Sequence, residues 1–190
     1  MKDFINYHIK LINNYIIRYN YKSYLEIGID EGVCFSQISC DYKIGIDPYS
    51  KSICVTHKMT SNEFFQQNFN KFDLIFIDGL HHSDQVIKDI ENSLKFLNDG
   101  GTIVVHDCLP KTELEQIIPR QTKVWTGDVW KAWLEYRKRN DLRMFVFDVD
   151  YGIGIIQRGS QNPIFVNDED LTWDNFEKNK EVWLNLISYA

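Results

Sequence analysis

The sequence predicts an α/β fold built around a mostly parallel sheet that ends in an antiparallel hairpin. Short apolar segments at 23–29, 43–49 and 72–79 alternate with stretches of helical periodicity, which is typical of parallel strands joined by crossover helices. The segment FDLIFIDG at 72–79 is nearly all apolar, as expected for a central parallel strand. Near the C-terminus, RMFVFDVD and GIGIIQRG meet at Tyr151-Gly152. That link is too short for a crossover helix, so these two strands form a hairpin.

The other elements follow from spacing and from turn residues. Residues 1–20 carry apolar side chains at helical spacing, beginning at Ile5, and His8 lies on this stripe, where it is assigned to packing. NDGG at 98–101 separates a helix from the strand that follows it. The further predicted elements are a weak strand at 52–58, helices at 61–69, 84–97 and 128–139, a strand at 102–107, and a C-terminal helix at about 172–187.

Length, charge and cysteine content restrict the class of protein. A chain of 190 residues suits one domain, spanning 1–190, with a full hydrophobic core. A net charge of −6 argues against nucleic acid as a partner, because nucleic-acid binding requires a basic surface. The four cysteines lack metal-binding spacing and residues 1–20 lack the apolar core of a signal peptide, so we expect a cytoplasmic protein with reduced thiols. Apolar runs fall short of the ~20 residues that span a bilayer, so no membrane insertion is expected, while a homo-oligomer is compatible with the sequence.

Polar residues collect where the predicted parallel strands end. Glu26 to Gly32, Asp47, Asp78 to His82, and the pair His106-Asp107 each follow one strand. Ligands of open parallel sheets bind at this edge. Gly28 and Gly32 provide a tight first turn, and Asp47 lies about 20 residues beyond Gly28, the spacing of a carboxylate that binds a ribose diol. NAD and S-adenosylmethionine both present such a diol.

The acidic residues of the first turn distinguish these two cofactors. Asp30 and Glu31 stand at the entrance of the following helix, where they repel a pyrophosphate and compete for the amides that would bind it. A sulfonium ligand with an amino-acid tail carries positive groups and tolerates these acids. Glu26 is likewise suited to a cationic amine. The residues therefore favour S-adenosylmethionine over NAD.

The motifs resemble those of class I S-adenosylmethionine-dependent methyltransferases, in particular the family 24-like group of small-molecule and sugar O-methyltransferases. The resemblance covers about residues 20–160. It is carried by YLEIGIDEGVC, IGIDP, MTSNEFF, FDLIFIDGLHH, LNDGGTIVVHD, GDVWKAW and DVDYGIGIIQRG. It implies a Rossmann-like three-layer sandwich with a seven-stranded sheet in the order 3-2-1-4-5-7-6, and S-adenosyl-L-methionine as cofactor.

The same resemblance implies roles for individual residues. Glu26, Gly28 and Asp47 are expected to contact the methionine tail and the ribose, with Ser61 and Asn62 near the adenine. The predicted cofactor-binding set is completed by Ile29, Gly32 and Asp78. Asp30 replaces the middle glycine of the commoner first motif, which leaves the contacts of this loop open.

A histidine near the end of the central strand is the predicted general base. An alcohol loses its proton as it attacks a methyl group, and a histidine with an ordinary pKa near 6.5 accepts a proton at neutral pH. His81 lies three residues beyond Asp78, and the matching histidine of related O-methyltransferases is thought to be the base. His82 is the rival candidate.

The carboxylates at the ends of two neighbouring strands suggest a metal site. Strand spacing places Asp78 and Asp107 about 5 Å apart, close enough to require a positive charge between them. Mg²⁺ is the cation that oxygen ligands favour. His106 stands where similar enzymes have a further acid, which favours Mn²⁺, Fe²⁺ or Zn²⁺ instead. In the alternative interpretation, Asp107 binds loop amides and there is no metal.

The segment 108–127 is a long connection of the kind that forms a lid or binding loop. The basic residues in this segment and just after it are Lys111, Arg120, Lys123 and Lys131. One interpretation is that they bind an anionic acceptor, and the other is that they are solvated surface side chains. Trp125 and Trp130 form either a stacking wall for a sugar or part of the core.

The sequence thus predicts a methyltransferase for a small hydroxyl-bearing acceptor, such as a sugar or a glycosylated natural product. The alternatives are an NAD-dependent oxidoreductase and a cofactor-binding module without turnover. O- and N-methylation both remain open.

Overall fold

The computed structural model describes residues 6–189. The strands are β1 (Ser23–Ile27), β2 (Tyr42–Ile46), β3 (Phe72–Ile77), β4 (Leu97–Val105), β5 (Leu142–Phe147), β6 (Ile153–Arg158) and β7 (Leu186–Ile187). The helices are α1 (Tyr7–Tyr19), α2 (Val33–Gln37), α3 (Ser61–Gln67), α4 (Ser83–Lys95), α5 (Glu113–Gln116), α6 (Val129–Arg137) and α7 (Trp173–Leu184). The start of the predicted first helix, with Ile5, lies outside the described residues.

The strands form one seven-stranded sheet in the order β2-β1-β3-β4-β6-β5-β7. The first four strands of this order are parallel, β6 is antiparallel to β4 and to β5, and β7 is parallel to β5. The predicted α/β class, the mostly parallel sheet and its closing hairpin are therefore confirmed. The predicted strand order is also confirmed for every strand except the third.

The third predicted strand, 52–58, is reduced to one parallel bridge between Ile46 and His57. The side chain of Thr56 replaces the backbone hydrogen bonds that a regular neighbouring strand would make. Thr56 Oγ1 accepts from Gly45 N at 3.0 Å and donates to Gly45 O at 3.0 Å. The edge of β2 is thus satisfied without a regular neighbouring strand.

The seventh strand comes from the end of the chain instead. The predicted C-terminal helix stops at Leu184 because Asn185 adopts a left-handed conformation, with φ of 50°, and its side-chain amide donates to Met144 O at 2.8 Å. The chain then turns along β5 as a two-residue strand. The left-handed cap explains why the helix is shorter than predicted.

Helices cover both faces of the sheet. Alternate residues of β3 point to opposite sides, as in any strand. Leu74 and Phe76 pack in the core beneath α1, whereas Ile75 and Ile77 pack in the core formed with α4 and α6. None of the helices within residues 6–189 is long and apolar enough to cross a lipid bilayer.

Candidate active site

A cavity of about 830 Å³ opens at the carboxyl ends of the parallel strands. Most of the predicted site residues line it: Glu26, Gly28, Ile29, Asp47, Ser61, Asn62, Asp78, His81, His106 and Asp107. Within residues 6–189, the wall of the cavity does not include Gly32 or His82. The strand ends thus bring together nearly all of the residues singled out by the sequence.

Gly28 marks a close approach between two loops of this cavity. Its φ is +85°, and a Cβ atom added here would lie 2.3 Å from the carbonyl oxygen of Asp78. Gly28 N also donates to Ile46 O at 2.9 Å, which ties the loop to the end of β2. Only glycine fits this position.

Asp47 organises the loops on the β2 side of the cavity. Its Oδ1 atom accepts from the backbone amides of Tyr49 at 2.7 Å and Ser50 at 2.8 Å, and its Oδ2 atom accepts from Asp30 N at 3.0 Å. Asp30 is in a left-handed conformation, with φ of 44°. A carboxylate has about four acceptor positions, so Asp47 keeps one for a ligand.

Glu26 is a buried carboxyl group that lines the cavity, with 1% of its surface exposed. Its hydrogen-bond partner is the phenol of Tyr24, which donates to Oε2. Burial raises the pKa of Glu26 to about 7, against the opposing effect of hydrogen bonds from Tyr24 and Cys34, and the charge of Asp78 raises it further. This carboxylate becomes fully ionised near neutral pH only if a positive group approaches it.

The opposite end of the cavity is lined by a network of polar side chains on α3 and α4. Asp89 Oδ1 accepts from Ser61 Oγ at 2.5 Å and from Gln85 Nε2 at 2.9 Å, and Asn62 Nδ2 donates to Gln85 Oε1 at 3.3 Å. Burial raises the pKa of Asp89 to about 6. Gln85 and Asp89 were not among the residues predicted from the sequence. The signal for Asp89 was its position beside Ile90 on the buried stripe of its helix, where an acid is rare.

His81 lies between the two carboxylates that the sequence paired. Its Nε2 atom is 3.3 Å from Asp78 Oδ1, and its Nδ1 atom is 3.2 Å from Asp107 Oδ2. The carbonyl oxygen of Trp125 also lies 3.2 Å from Nδ1. Both ring nitrogens therefore face acceptors, which favours the doubly protonated imidazolium.

The pKa values of this group follow from that arrangement. Burial alone lowers the pKa of His81, but Asp78, Asp107 and the Trp125 carbonyl outweigh it and raise the pKa above its ordinary value. Burial alone raises the pKa of Asp78, but His106 and His81 hold it well below its ordinary range. Asp107 keeps a raised pKa because its burial exceeds the effect of the two histidines.

A second group of titratable side chains adjoins the first. His8 Nδ1 lies 2.7 Å from Asp150 Oδ2, and His106 Nε2 lies 3.7 Å from Asp150 Oδ1. On its other side, His106 Nδ1 lies 3.2 Å from Asp78 Oδ1. His8 had been assigned to packing and Asp150 had not been noticed. Neither residue lies at the end of a parallel strand, and the other site residues were predicted because they follow the carboxyl ends of such strands.

The ligand atoms that converge are grouped differently from the predicted metal site. Two groups have all their candidate ligand atoms within 4.8 Å of one another: Asp78, His81 and Asp107, and His8, His106 and Asp150. His106, which the sequence placed with Asp78 and Asp107, lies beside both, with Nδ1 3.2 Å from Asp78 Oδ1 and 3.6 Å from Asp107 Oδ1. Its Nε2 atom faces the other group, with His8 and Asp150. The physical reason is the direction of its ring, whose Nε2 atom points toward Asp150.

The long connection 108–127 is held against His81. Gly127 has a φ of +58°, and a Cβ atom there would lie 1.8 Å from His81 O. Asp128 N donates to His81 O at 3.2 Å, and the Asp128 carboxylate accepts from Ser83 N at 2.7 Å, at the first turn of α4. The connection thus fixes the loop that carries His81.

The two tryptophans of this region have different surroundings. Trp125 lines the cavity and stacks on His81, with ring centroids 5.4 Å apart. Trp130 is fully buried against Phe176, with centroids 4.6 Å apart, and belongs to the core. Arg120, whose guanidinium lies 5.8 Å from the centroid of the Trp125 ring, is the basic residue of the connection that lines the cavity.

Residues 36–108 match a family model described as a methyltransferase domain. No curated protein matches the chain. Solved structures with the same fold include TomG, an O-methyltransferase of Streptomyces achromogenes involved in tomaymycin synthesis, in complex with SAM. It is 15% identical, with a TM-score of 0.61 over 80% of this chain and 80% of that chain.

Two further structures are similar at comparable identity. The SAH-bound methyltransferase PaMTH1 of Podospora anserina is 14% identical, with a TM-score of 0.64 over 80% of this chain and 78% of that chain. MycE, from mycinamycin biosynthesis, was solved with Mg, SAH and mycinamycin VI. It is 14% identical, with a TM-score of 0.54 over 87% of this chain and 52% of its own. At these identities the likeness shows the fold.

Proposed function

We propose that the chain is a class I methyltransferase and that it methylates a hydroxyl group of a small acceptor, such as a sugar or a glycosylated metabolite. The fold and the match over residues 36–108 support the first part of this proposal. S-adenosylmethionine, when bound, supplies an electrophilic methyl group on a sulfonium. His81 accepts the proton of the acceptor hydroxyl. The single observation that carries the proposal is the buried Glu26 carboxyl group beside Gly28, at one end of a cavity whose other polar groups include His81.

Glu26 supports the choice of cofactor because burial outweighs the hydrogen bonds and the charge of Lys43 that would stabilise its ionised form. Its pKa of about 7 reflects burial with a neutral phenol as partner. The ammonium group of a methionine tail would stabilise the ionised form, since opposite charges at hydrogen-bond distance favour ionisation. Gly28 lets the ligand pass close to the backbone, and Ile29 lies next to it in the cavity wall.

The residues that line the cavity support the remaining proposed cofactor contacts. The free acceptor position of Asp47 suits a ribose hydroxyl. The network of Ser61, Asn62, Gln85 and Asp89 has both donors and acceptors, as recognition of an adenine edge requires. These groups line the same cavity as Glu26, so one elongated ligand can contact all of them.

The first turn disfavours the alternative cofactor, NAD. A pyrophosphate needs free backbone amides at the start of a helix, but Asp30 N is bound by Asp47 and Gly32 N donates to Ile29 O at 2.6 Å. The helix that follows, α2, has only five residues. Asp30 and Glu31 add negative charge to the same wall. An NAD-dependent oxidoreductase is therefore the weaker interpretation.

His81 is positioned to take the proton from an acceptor bound near Trp125. The base is the neutral form of His81, which is populated above its raised pKa. In that form the Trp125 carbonyl and Asp107 hold the Nδ1–H group, which leaves Nε2 as the atom that receives the proton. In the transfer, the acceptor oxygen forms a bond to the methyl carbon, the carbon–sulfur bond breaks, and the hydroxyl proton moves to Nε2. Asp78 and Asp107 stabilise the imidazolium that results. Arg120 and Trp125 flank this end of the cavity and suit a sugar-containing acceptor.

A Mg²⁺ ion at Asp78 and Asp107 fits this arrangement poorly. The ring nitrogens of His81 contact one oxygen of each carboxylate and lie between the two acids, whereas Mg²⁺ prefers an all-oxygen environment. No step of the transfer is assigned to a metal at this position. The positive charge between the two acids comes from the protein.

Thermal denaturation with ligands tests the cofactor. S-adenosylhomocysteine should raise the melting temperature, by RT ln(1 + [L]/Kd) in free energy, whereas NAD at the same concentration should not. Glu26→Gln keeps the shape of the side chain and should reduce the shift. Stabilisation by NAD alone would support the oxidoreductase, and no stabilisation by either ligand would overturn the proposal.

A further inference from the structure

We propose that His8, Asp150 and the Nε2 atom of His106 form a binding site for a divalent first-row transition-metal ion, distinct from the two carboxylates that flank His81. The three residues come from three separate parts of the fold: helix α1, the loop after β4, and the turn between β5 and β6. The proposal goes beyond the methyl-transfer function and does not depend on it.

The ligand atoms have the composition and spacing of a transition-metal site. One nitrogen of each imidazole and one oxygen of the carboxylate all lie within 4.8 Å of one another. The two rings are 4.8 Å apart between centroids and inclined at 61°, so they are not stacked face to face. Two imidazoles with one carboxylate are a ligand set of Fe²⁺ and Zn²⁺ sites, and imidazole disfavours Mg²⁺ and Ca²⁺.

His106 provides an independent indication that a ligand is bound here. Within residues 6–189, its buried Nε2 atom has no hydrogen-bond partner, because Asp150 Oδ1, at 3.7 Å, is too far away. Its Nδ1 atom lies 3.2 Å from Asp78 Oδ1. Metal-ligating histidines commonly donate their second ring N–H to a carboxylate in this way, which fixes the ring with the other nitrogen free. A metal ion would satisfy the buried nitrogen.

The turn that carries Asp150 joins β5 to β6 through two residues in the left-handed conformation. Asp150 and Tyr151 both have left-handed φ angles, of 52° and 58°, a region that bulky residues such as tyrosine rarely adopt. This conformation directs the Asp150 carboxylate toward the two imidazoles, with Oδ2 also accepting from His8 N at 3.2 Å. Gly152 N donates to Val149 O at 2.9 Å, so these φ angles are those of a type I′ turn, which requires them at both central residues of a hairpin.

The position of the three residues leaves one side of the site accessible. Their side chains are 12–19% exposed, and His8 and His106 line the large cavity. Three protein ligands leave a four-coordinate ion one position for water or another ligand, as in catalytic rather than structural zinc sites. An ion here would therefore be in contact with whatever occupies the cavity.

Titration of the metal-free full-length chain with Co²⁺ tests the inference. Binding is followed by visible absorption and by calorimetry, without cofactor or acceptor. We expect one Co²⁺ per chain at this site, with an affinity at least about 100-fold lower in His8→Gln and in the isosteric Asp150→Asn, since loss of a supporting partner alone costs 10–100-fold. His57→Gln, outside both clusters, and His81→Gln should retain the site.

The outcomes separate this inference from the proposed function. Unchanged Co²⁺ affinity in both His8→Gln and Asp150→Asn would overturn it, and so would a loss confined to His81→Gln. Thermal shifts with S-adenosylhomocysteine on the same variants report the cofactor site independently. Loss of Co²⁺ binding with a retained shift supports the metal site, and Co²⁺ binding to a chain that ignores S-adenosylhomocysteine would contradict only the methyltransferase proposal.

Discussion

His81 Nδ1 lies 3.2 Å from Asp107 Oδ2, and this contact places an imidazolium where the sequence argument required a cation. Two carboxylates at the ends of neighbouring strands destabilise each other unless a positive charge separates them. Asp78 Oδ1, 3.3 Å from His81 Nε2, completes the arrangement. The proton on His81 therefore performs the electrostatic role that the sequence alone would assign to a metal.

Replacement of His81 tests whether its imidazole acts as the general base. His81→Gln removes the proton acceptor and should lower kcat by roughly 10²-fold or more. The dissociation constant of S-adenosylhomocysteine should change little, because the proposed cofactor contacts of Glu26 and Asp47 lie elsewhere in the cavity. Steady-state kinetics and calorimetry measure the two effects separately.

His82→Gln is the matched control for this experiment. His82 is the adjacent residue but does not line the cavity within the described chain, so its variant should turn over at a rate close to that of the wild type. If His81→Gln had unaltered kcat, or if His82→Gln were the impaired variant, His81 would be removed from the proposed mechanism.

The pH dependence of kcat/KM should reveal the surroundings of the base. A base acts in its neutral form, so activity should rise with pH, and the inflection should lie above the ordinary histidine value of about 6.5 because Asp78 and Asp107 raise the pKa of His81. Asp107→Asn removes one of these charges and should move the inflection to lower pH. If the inflection stayed at the same pH in Asp107→Asn, the rise of activity with pH could not be assigned to deprotonation of His81.

The strand ends of the site could be predicted because two local signals agree there. FDLIFID is apolar enough to be recognised as a central strand, and chain geometry then places Asp78 and His81 just beyond its end. Gly28 and Asp47 were identified by the spacing of a turn. Each of these predictions needs only one strand and the loop after it.

The rest of the site depends on contacts between segments that are far apart in the sequence. His8 and Asp150 are 142 residues apart, and a histidine on an apolar helical stripe has the pattern of a packed residue. The third strand was overpredicted because residues 52–58 have strand-like composition, whereas the side chain of Thr56 occupies the edge of β2. Neither tertiary contact leaves a periodic signal in the sequence.

Alanine at Gly28 tests the close approach between the loop after β1 and the loop after β3. Gly28→Ala places a Cβ atom 2.3 Å from Asp78 O at a φ of +85°. The left-handed conformation costs about 1–2 kcal/mol, and the displacement of the loop costs about 1–3 kcal/mol more. Gly100→Ala is the control, because Gly100 has a φ of +75° with nothing within 4 Å of the added atom. Chemical denaturation should show a larger loss for Gly28→Ala, and equal losses would mean that the contact with Asp78 is unimportant.

The affinity for S-adenosylhomocysteine should depend on pH through Glu26. In the free protein the pKa of Glu26 is about 7, and an ammonium bound beside the carboxylate lowers it. Ligand binding below pH 7 must therefore release a proton, and the affinity should fall about tenfold for each pH unit from 7 toward 5. Calorimetry in buffers of different ionisation enthalpy measures both the affinity and the proton release.

Glu26→Gln isolates this effect, because glutamine keeps the size of the side chain and does not titrate. The variant should bind S-adenosylhomocysteine more weakly at pH 7, and its affinity should be nearly constant between pH 5 and 7, with little proton release. Asp89, whose pKa is raised to about 6, is a further buried acid of the cavity that titrates in this range, and Asp89→Asn distinguishes its contribution. If Glu26→Gln kept the full pH dependence while Asp89→Asn abolished it, the ammonium would not be bound at Glu26, and the orientation of the cofactor in the cavity would have to be reversed.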